Sequence, residues 1–291
     1  NGGGGIDTVS YSDSTAGMSI DLNYIGTGTS LGTGIALGDK VGSDVEKVIG
    51  SSSNDIFYST RTDVLLDGGD GSDSIDFSIS TSSGVTIDLG DTNHFLSIER
   101  VVGSNGNDHL TASSTGSTLV AGNGDDILYG GDGNDWINLD HPTIGSNTNN
   151  TNTTLVSDIA HGGNGDDTFV IRQSTLGNST TVNLFGETGS DTLQVYGTLN
   201  ANLDLKSLNA TGFETLDLSQ DLTSNTVLLS SSGIQQLVGA GDSSVLTLKL
   251  GSNDYKSFPV ESNVTVLQGN TSVFFYSNDA AHTQVAQVNF I

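Results

Sequence analysis

Aspartate recurs at one position of short glycine-rich segments, and its carboxylate is an oxygen ligand that hard cations prefer. Segments 68–76, 130–138 and 162–170 read GGDGSDSID, GGDGNDWIN and GGNGDDTFV. All three fit G-G-x-G-x-D-x-U-x, where U is a large apolar residue. Gly permits the positive φ of a tight turn, and its missing side chain lets backbone carbonyls converge on an ion. The pattern therefore predicts turns that collect cations.

Further copies of the segment share a common phase. Segment 2–10 fits the whole pattern, and partial copies begin at Gly50, Gly103, Ala121 and Gly186. A fixed period of this kind indicates a repeat architecture. The residue at U should point inward, since neighbouring residues of a strand point to opposite faces. The expected inward residues are Val9, Phe57, Leu66, Ile75, Leu110, Leu119, Leu128, Ile137, Phe169 and Leu193.

The charge of the chain limits its partners. Of 291 residues, 34 are acidic and 8 are basic, the net charge is −26, and there is no Cys. Nucleic acid is excluded as a partner because its phosphates require Lys and Arg. Disulfides and thiolate metal sites are excluded as well. No apolar run approaches the roughly 20 residues of a transmembrane helix, so we expect no membrane insertion. We also expect a monomer. A chain this acidic repels itself until something neutralises it.

The nonapeptide resembles the repeat of the RTX (repeats-in-toxin) family. The resemblance implies an all-β fold, a parallel β-roll (β-solenoid) that binds several Ca²⁺ ions. In RTX rolls each ion lies between two turns on the same edge, about 18 residues apart. Each of the two turns supplies backbone carbonyls and its repeat Asp.

The resemblance implies several calcium ions, roughly five to eight, and it carries over residue by residue to five pairings. The first joins Ser51, Ser53 and Asp55 to Gly68, Asp70 and Asp73. The second joins Ser104, Gly106 and Asp108 to Ala121, Asn123 and Asp126. The third joins Gly69, Gly71 and Asp73 to Thr86, Asp88 and Asp91. The fourth joins Gly131, Gly133 and Asp135 to Asp158, and the fifth joins Gly163, Gly165 and Asp167 to Gly186, Thr188 and Asp191. Asp7 has no obvious partner turn downstream.

The pattern divides the chain into three regions. Residues 1–111 carry RTX repeats with two strand-bearing excursions, and residues 112–194 form a denser roll with an Asn-rich insertion at 139–152. Residues 195–291 contain alternating segments such as VLLSSSGI and VLTLKL, which predict strands. We expect this third region to be a β-rich cap, because an open end of a roll is an exposed sheet edge.

The C-terminal region resembles the end of large bacterial RTX adhesins exported by type I secretion. The resemblance rests on FETLDLS at 213–219, a GAGDS turn at 239–243 and the strand-rich stretch after it. It implies a secretion signal in 195–291, calcium-driven folding after export and an extracellular or cell-surface location. The partners would be the type I secretion machinery and host-cell or surface ligands bound through other domains. Because the chain begins inside a repeat, we expect a C-terminal fragment of a larger protein.

No catalytic centre is expected. GTSLG at 28–32 matches the G-x-S-x-G nucleophile elbow, but it lies in a Gly/Thr/Ser segment without the required strand and helix. The five His residues show no HExxH spacing. Two alternatives remain open: an accessory module of a secreted enzyme (an epimerase, lipase or protease), and a segment of a surface-layer protein. An ice-binding roll would need a regular array of Thr, which the register does not give.

Overall fold

The computed structural model of the chain describes residues 4–22, 41–80, 83–139, 157–172, 182–196, 202–205, 208–219, 226–239, 244–250, 255–257, 264–268, 272–277 and 284–291. The chain forms two compact units, 1–152 and 153–291. Each unit is described by itself. The three regions predicted with boundaries at 111 and 194 stay a prediction.

Short strands build the first unit. They are β1 (Thr8–Ser10), β2 (Ser19–Asp21), β3 (Lys47–Ile49), β4 (Ile56–Tyr58), β5 (Leu65–Asp67), β6 (Ser74–Asp76), β7 (Thr86–Asp88), β8 (Phe95–Leu96), β9 (Arg100–Val102), β10 (His109–Thr111), β11 (Thr118–Val120), β12 (Ile127–Gly131) and β13 (Trp136–Asn138). Glycine-rich turns keep the strands short, because each turn ends one strand and starts the next.

The strands of the first unit lie in parallel sheets, and the chain passes from one sheet to another at the turns. One sheet has the order β2-β4-β6-β9-β11-β13, a second has β1-β3-β5-β8, and a third contains β7-β10-β12. Phe57 lies beside Ile75 within the first of these sheets, while Leu66 lies in the second beside Val48. Two repeats therefore make one coil, which confirms the predicted parallel β-roll.

The predicted inward residues form the core of the roll. Nine of the ten are 0% exposed, and they are Phe57, Leu66, Ile75, Leu110, Leu119, Leu128, Ile137, Phe169 and Leu193. Val9 is the exception, because it is only half-buried. Its strand β1 is at the edge of its sheet, next to β3, so a neighbouring strand covers it on one side only.

The second unit is also built of strands. They are β14 (Ile159–Asn164), β15 (Thr168–Arg172), β16 (Asn183–Thr188), β17 (Thr192–Tyr196), β18 (Asn202–Asp204), β19 (Ala210–Thr211), β20 (Thr215–Asp217), β21 (Thr226–Leu228), β22 (Ser244–Lys249), β23 (Tyr255–Ser257), β24 (Val264–Gln268), β25 (Ser272–Ser277) and β26 (Gln284–Phe290). Parallel pairing runs through β15-β17-β20-β22-β26, and β25 and β24 then add antiparallel strands.

One helix interrupts the predicted strand-rich region. The segment VLLSSSGI, whose alternation predicts a strand, is a strand only to Leu228, and helix α1 (Ser231–Val238) follows it. The side chain of Ser230 caps this helix by accepting a hydrogen bond from the Gly233 amide. Alternation of apolar residues over a short segment does not separate a strand from a helix that begins at a serine cap.

Several predicted features lie outside the described residues. They are GTSLG at 28–32, positions 140–152 of the Asn-rich insertion and positions 240–243 of the GAGDS turn. In the part of the chain that the structure covers, no helix combines the length and apolarity needed to cross a membrane.

Candidate calcium sites

Turn 50–55 stacks on turn 68–73 in the first unit. The two turns lead into β4 and β6, which pair in register. The Asp55 amide donates a hydrogen bond of 2.6 Å to Oδ1 of Asp73, 18 residues along the chain. Asp55 and Asp73 are 1% and 0% exposed. The structure therefore brings together the two turns of the first predicted site, with both carboxylates inside the roll.

Turn 103–108 stacks on turn 121–126 in the same way. The Asp108 amide donates to Oδ1 of Asp126 at 2.8 Å, again across 18 residues. The Asn123 amide donates to the Ser104 carbonyl at 3.2 Å. Both Asp side chains are buried. The two turns of the second predicted site are therefore also neighbours.

In the second unit, turn 162–167 stacks on turn 186–191 although the repeat spacing is broken. The Asp167 amide donates to Oδ1 of Asp191 at 2.8 Å across 24 residues. The Gly165 amide donates to the Thr188 carbonyl at 2.9 Å. The extra residues thus leave the contact between the predicted turns intact.

The repeat carboxylates are oriented by hydrogen bonds from the preceding coil, and two of them also by hydrogen bonds from their own turn. Oδ1 accepts the amide of the preceding coil, and in two turns the other oxygen accepts an amide of its own turn. Ser51 donates to Oδ2 of Asp55 at 2.5 Å, and Ser104 donates to Oδ2 of Asp108 at 2.6 Å. Hydrogen bonds to a charged acceptor are short and strong, so they hold the carboxylates toward the gap between coils.

The glycines of these turns leave room that a side chain would fill. A Cβ at Gly69 would overlap the Ser51 carbonyl oxygen, and one at Gly122 would overlap that of Ser104. Both glycines have positive φ, +96° and +102°. The same close approach sets the backbone of Ser53, Gly106 and Gly165 against Gly71, Gly124 and Gly189 of the next turn. Carbonyl oxygens therefore crowd the space beside each carboxylate.

Burial opposes ionisation of three repeat carboxyls, because it raises the pKa of Asp108 as well as those of Asp73 and Asp191. Burial raises the pKa of Asp73 to about 7, and the nearby carboxylates of Asp55 and Glu99 add to the shift, although the Asp55 amide opposes it. Burial also raises the pKa of Asp191 to about 7, with a contribution from its own acidic neighbours. Buried charges need a partner of opposite sign. In the described residues these partners are not basic side chains but the amides already named, so a cation between the turns fits the donor set.

The oxygen ligands and their arrangement favour calcium. Ca²⁺ takes six to eight oxygens from carboxylates and carbonyls, which these turns supply together. Among the described residues, no three His, Cys, Asp or Glu side chains cluster as a metal site. The individual ligand sets stay predictions.

The third predicted pairing is corrected by the structure. Turn 68–73 does not lie beside 86–91: Thr86 and Asp88 are exposed residues of β7, which pairs with β10 in another sheet. Asp91 instead contacts Nδ1 of His94 at 2.7 Å. β6 pairs with β9, because the chain between them adds β7 and β8 to other sheets. The spacing of 18 between Asp73 and Asp91 is therefore a coincidence.

Asp135 is held from the upstream side. The Ser117 amide donates to its Oδ1 at 2.6 Å across 18 residues, so its turn stacks on one that carries Ser at the Asp position. The predicted pairing of Asp135, Gly131 and Gly133 with Asp158 joins residues of the two units and stays a prediction. Asp158 itself is 2% exposed.

Three glutamates occupy the position of the repeat Asp, and the nonapeptide pattern does not predict them. Their Oε2 atoms accept amides where an Asp carboxylate would: from Asp7 to Glu46 at 2.9 Å, from Asp73 to Glu99 at 2.8 Å and from Asp191 to Glu214 at 2.8 Å. Each Glu stands two residues before a buried apolar residue of its strand, the same offset as the repeat Asp. This offset was the available signal. Asp7 thus has a downstream partner after all.

Comparison with known proteins agrees with this geometry. The family model for the RTX calcium-binding nonapeptide repeat matches four copies, at residues 49–78, 113–140 and 157–170. The chain carries RTX calcium-binding nonapeptide repeats. The matched segments include the stacked turns of Asp55 and Asp73 and the turns of Asp126, Asp135 and Asp167. No curated protein matches the chain. The RTX repeats bind Ca²⁺ in the β-roll of a secreted protein.

A glycine substitution tests the space between the RTX turns. We expect Gly122→Ala to raise the calcium concentration for half-saturation on the order of tenfold, because its Cβ would overlap the Ser104 carbonyl. Gly239→Ala is the matched control: its φ is +98°, and a Cβ there meets no described atom within 4 Å. Calorimetric calcium titration measures both variants. Equal affinity in the two variants would mean that this carbonyl does not line a calcium site.

The raised pKa values predict that calcium binding depends on pH. Below about pH 7 the carboxyls of Asp73 and Asp191 keep their protons, and Ca²⁺ has to displace them. Affinity should therefore be full above pH 7 and fall by about tenfold per unit and per coupled proton as the pH drops below 7. Titrations at pH 8, 7, 6 and 5 measure this slope. Asp73→Asn should flatten it, and a midpoint unchanged between pH 8 and 5.5 would contradict the prediction.

Proposed function

We propose that this region is a calcium-dependent folding and secretion module at the C-terminus of a bacterial cell-surface adhesin. The observation that carries the proposal is the stacking of buried repeat carboxylates: Asp55 on Asp73, Asp108 on Asp126, and Asp167 on Asp191. These groups approach one another only when the roll is formed. Their mutual repulsion opposes folding until a cation lies between them.

Calcium binding energy is then folding energy. A chain with a net charge of −26 stays unfolded where free calcium is low, as in the bacterial cytosol, and folds at the millimolar calcium outside. Affinities of about 10⁻⁴–10⁻³ M, typical of extracellular modules, are sufficient. A chain that stays unfolded inside the cell can pass through a narrow transporter. Once it has folded outside, it is too wide to return.

The C-terminal region supports the adhesin context. The phrase FETLDLS at 213–219 contributes Glu214 and strand β20 to the roll, so the resemblance to adhesin tails falls on residues with a structural role. Strands β24 and β25 then replace parallel by antiparallel pairing, as expected of a cap. We further propose that the region holds no catalytic centre and serves binding and structure.

A calcium titration followed by far-UV circular dichroism tests calcium-coupled folding. We expect a cooperative change from coil to β-structure near millimolar calcium. Asp126→Asn should raise the midpoint on the order of tenfold, because it removes a buried charged ligand. Asp125→Asn, the same change at an exposed neighbour, should leave it unaltered. A chain fully folded in chelator would contradict the proposal.

An export assay tests the secretion role separately. In cells with a type I transporter, the chain should accumulate in the medium, and removal of 284–291, which form β26 and the chain end, should keep it inside. The Asp125→Asn chain serves as an export control. Because the signal would be recognised before folding, loss of β26 pairing cannot by itself explain retention. Equal export of the shortened and the full chain would show that the secretion signal does not lie in 284–291.

A further inference from the structure

Two turns of the roll are too short to be RTX turns. Turn 68–73 lies between the buried residues Leu66 and Ile75, which are nine positions apart. Only 97–99 join β8 to β9 and only 212–214 join β19 to β20, and there the buried residues are six positions apart, at Phe95 and Val101 and at Ala210 and Leu216. Both short turns end in Glu after a buried apolar residue, Ile98 or Phe213. They follow directly on the RTX turns of Asp73 and Asp191 in their sheets.

The oxygens around the short turns repeat the arrangement of a regular site. In the regular pair, a Cβ at Gly103 would overlap both the Ala121 carbonyl oxygen and Oδ2 of Asp108. At Gly68, the corresponding atoms are the Ser97 carbonyl oxygen and Oδ2 of Asp73.

The second unit shows the same substitution. A Cβ at Gly186 would overlap the Gly212 carbonyl oxygen and lie 2.7 Å from Oδ2 of Asp191. A carbonyl of the short turn thus stands where the first carbonyl of an RTX turn would be. The Glu that follows stands in place of the Asp.

Independent support comes from two oxygens without donors. Oδ2 of Asp73 and Oδ2 of Asp191 are buried and have no hydrogen-bond partner among the described residues, and both side chains are 0% exposed. A buried carboxylate oxygen without a donor is costly, and each of these two faces a carbonyl oxygen, which offers no proton. A cation satisfies both oxygens at once.

We propose that Asp73 with Glu99 and the Ser97 carbonyl, and Asp191 with Glu214 and the Gly212 carbonyl, form two additional calcium sites of a short-turn type. The longer Glu side chain spans the distance that the missing turn residues leave. With fewer carbonyls than a regular site, each short-turn site needs more water ligands and binds Ca²⁺ more weakly. The inference rests on calcium binding by the regular repeats and not on the adhesin context.

Counting bound ions tests the inference. Native mass spectrometry of the full chain in calcium should show one ion fewer in Glu99→Gln, one fewer in Glu214→Gln and two fewer in the double variant. Gln keeps an oxygen for the amide of Asp73 or Asp191 but removes the charge. Glu187→Gln is the control: it makes the same change in turn 186–191, but its carboxylate contacts His161 and is 43% exposed, so its ion count should equal that of the unaltered chain.

The outcomes separate this inference from the proposed function. If both Glu variants keep every ion while Asp126→Asn loses at least one, the glutamates bind no calcium and the inference is wrong. If Asp126→Asn also keeps every ion, calcium-coupled folding itself fails. Circular dichroism in saturating calcium checks that the variants fold. Should they not fold, crystals of the unaltered chain grown in calcium decide: an ion between Asp73 and Glu99 supports the sites, and its absence overturns them.

Discussion

The roll depends on hydrogen bonds from backbone amides of one coil to carboxylates of the next. The bond from Asp55 to Asp73 is typical: it continues the pairing of β4 with β6 into the turn and places a charge inside the protein. The bond that sets the register of the strands therefore also buries a negative charge, which opposes folding. Each further coil adds another buried carboxylate, so the free-energy cost of burying negative charge grows with every coil.

The hydrogen bond requires the carboxylate at a fixed position before the strand that follows it. It does not require a fixed number of residues between the two turns. The amide–carboxylate bond forms across 18 residues at Asp108 and Asp126, 24 at Asp167 and Asp191, and 26 at Asp73 and Glu99. In every case the carboxylate stands two residues before the buried apolar residue of its strand. Between Asp73 and Glu99 the additional residues place β7 and β8 in other sheets, and lengthening a connection costs little free energy.

Glutamate shows what the constraint permits. At Glu46, Glu99 and Glu214 the carboxylate keeps its amide partner outside the G-G-x-G-x-D turn. The Glu side chain is one methylene longer than that of Asp. A Glu at the end of a three-residue turn can therefore accept the amide that an Asp accepts at the end of a six-residue turn. The roll can thus change from long to short turns without loss of register, and the number of carbonyls near each carboxylate changes with it.

The sequence alone determined the repeating part of this protein. Nine of ten inward residues, the pairing of Asp55 with Asp73 and of Asp108 with Asp126, and the calcium chemistry follow from a local period, because turn, strand and carboxylate lie within nine residues. The partial repeat that begins at Gly186 also located the partner of Asp167, although the repeat spacing is broken there.

Only the tertiary structure decided which turns become neighbours after an interruption of the repeat. Asp73 faces Glu99 and not Asp91, because β7 joins β10 in another sheet and β9 becomes the neighbour of β6. Spacing along the chain cannot reveal this, since it does not say into which sheet an inserted strand goes. The glutamates were missed for the same reason: their role depends on the coil they face, and that neighbour is set by the fold.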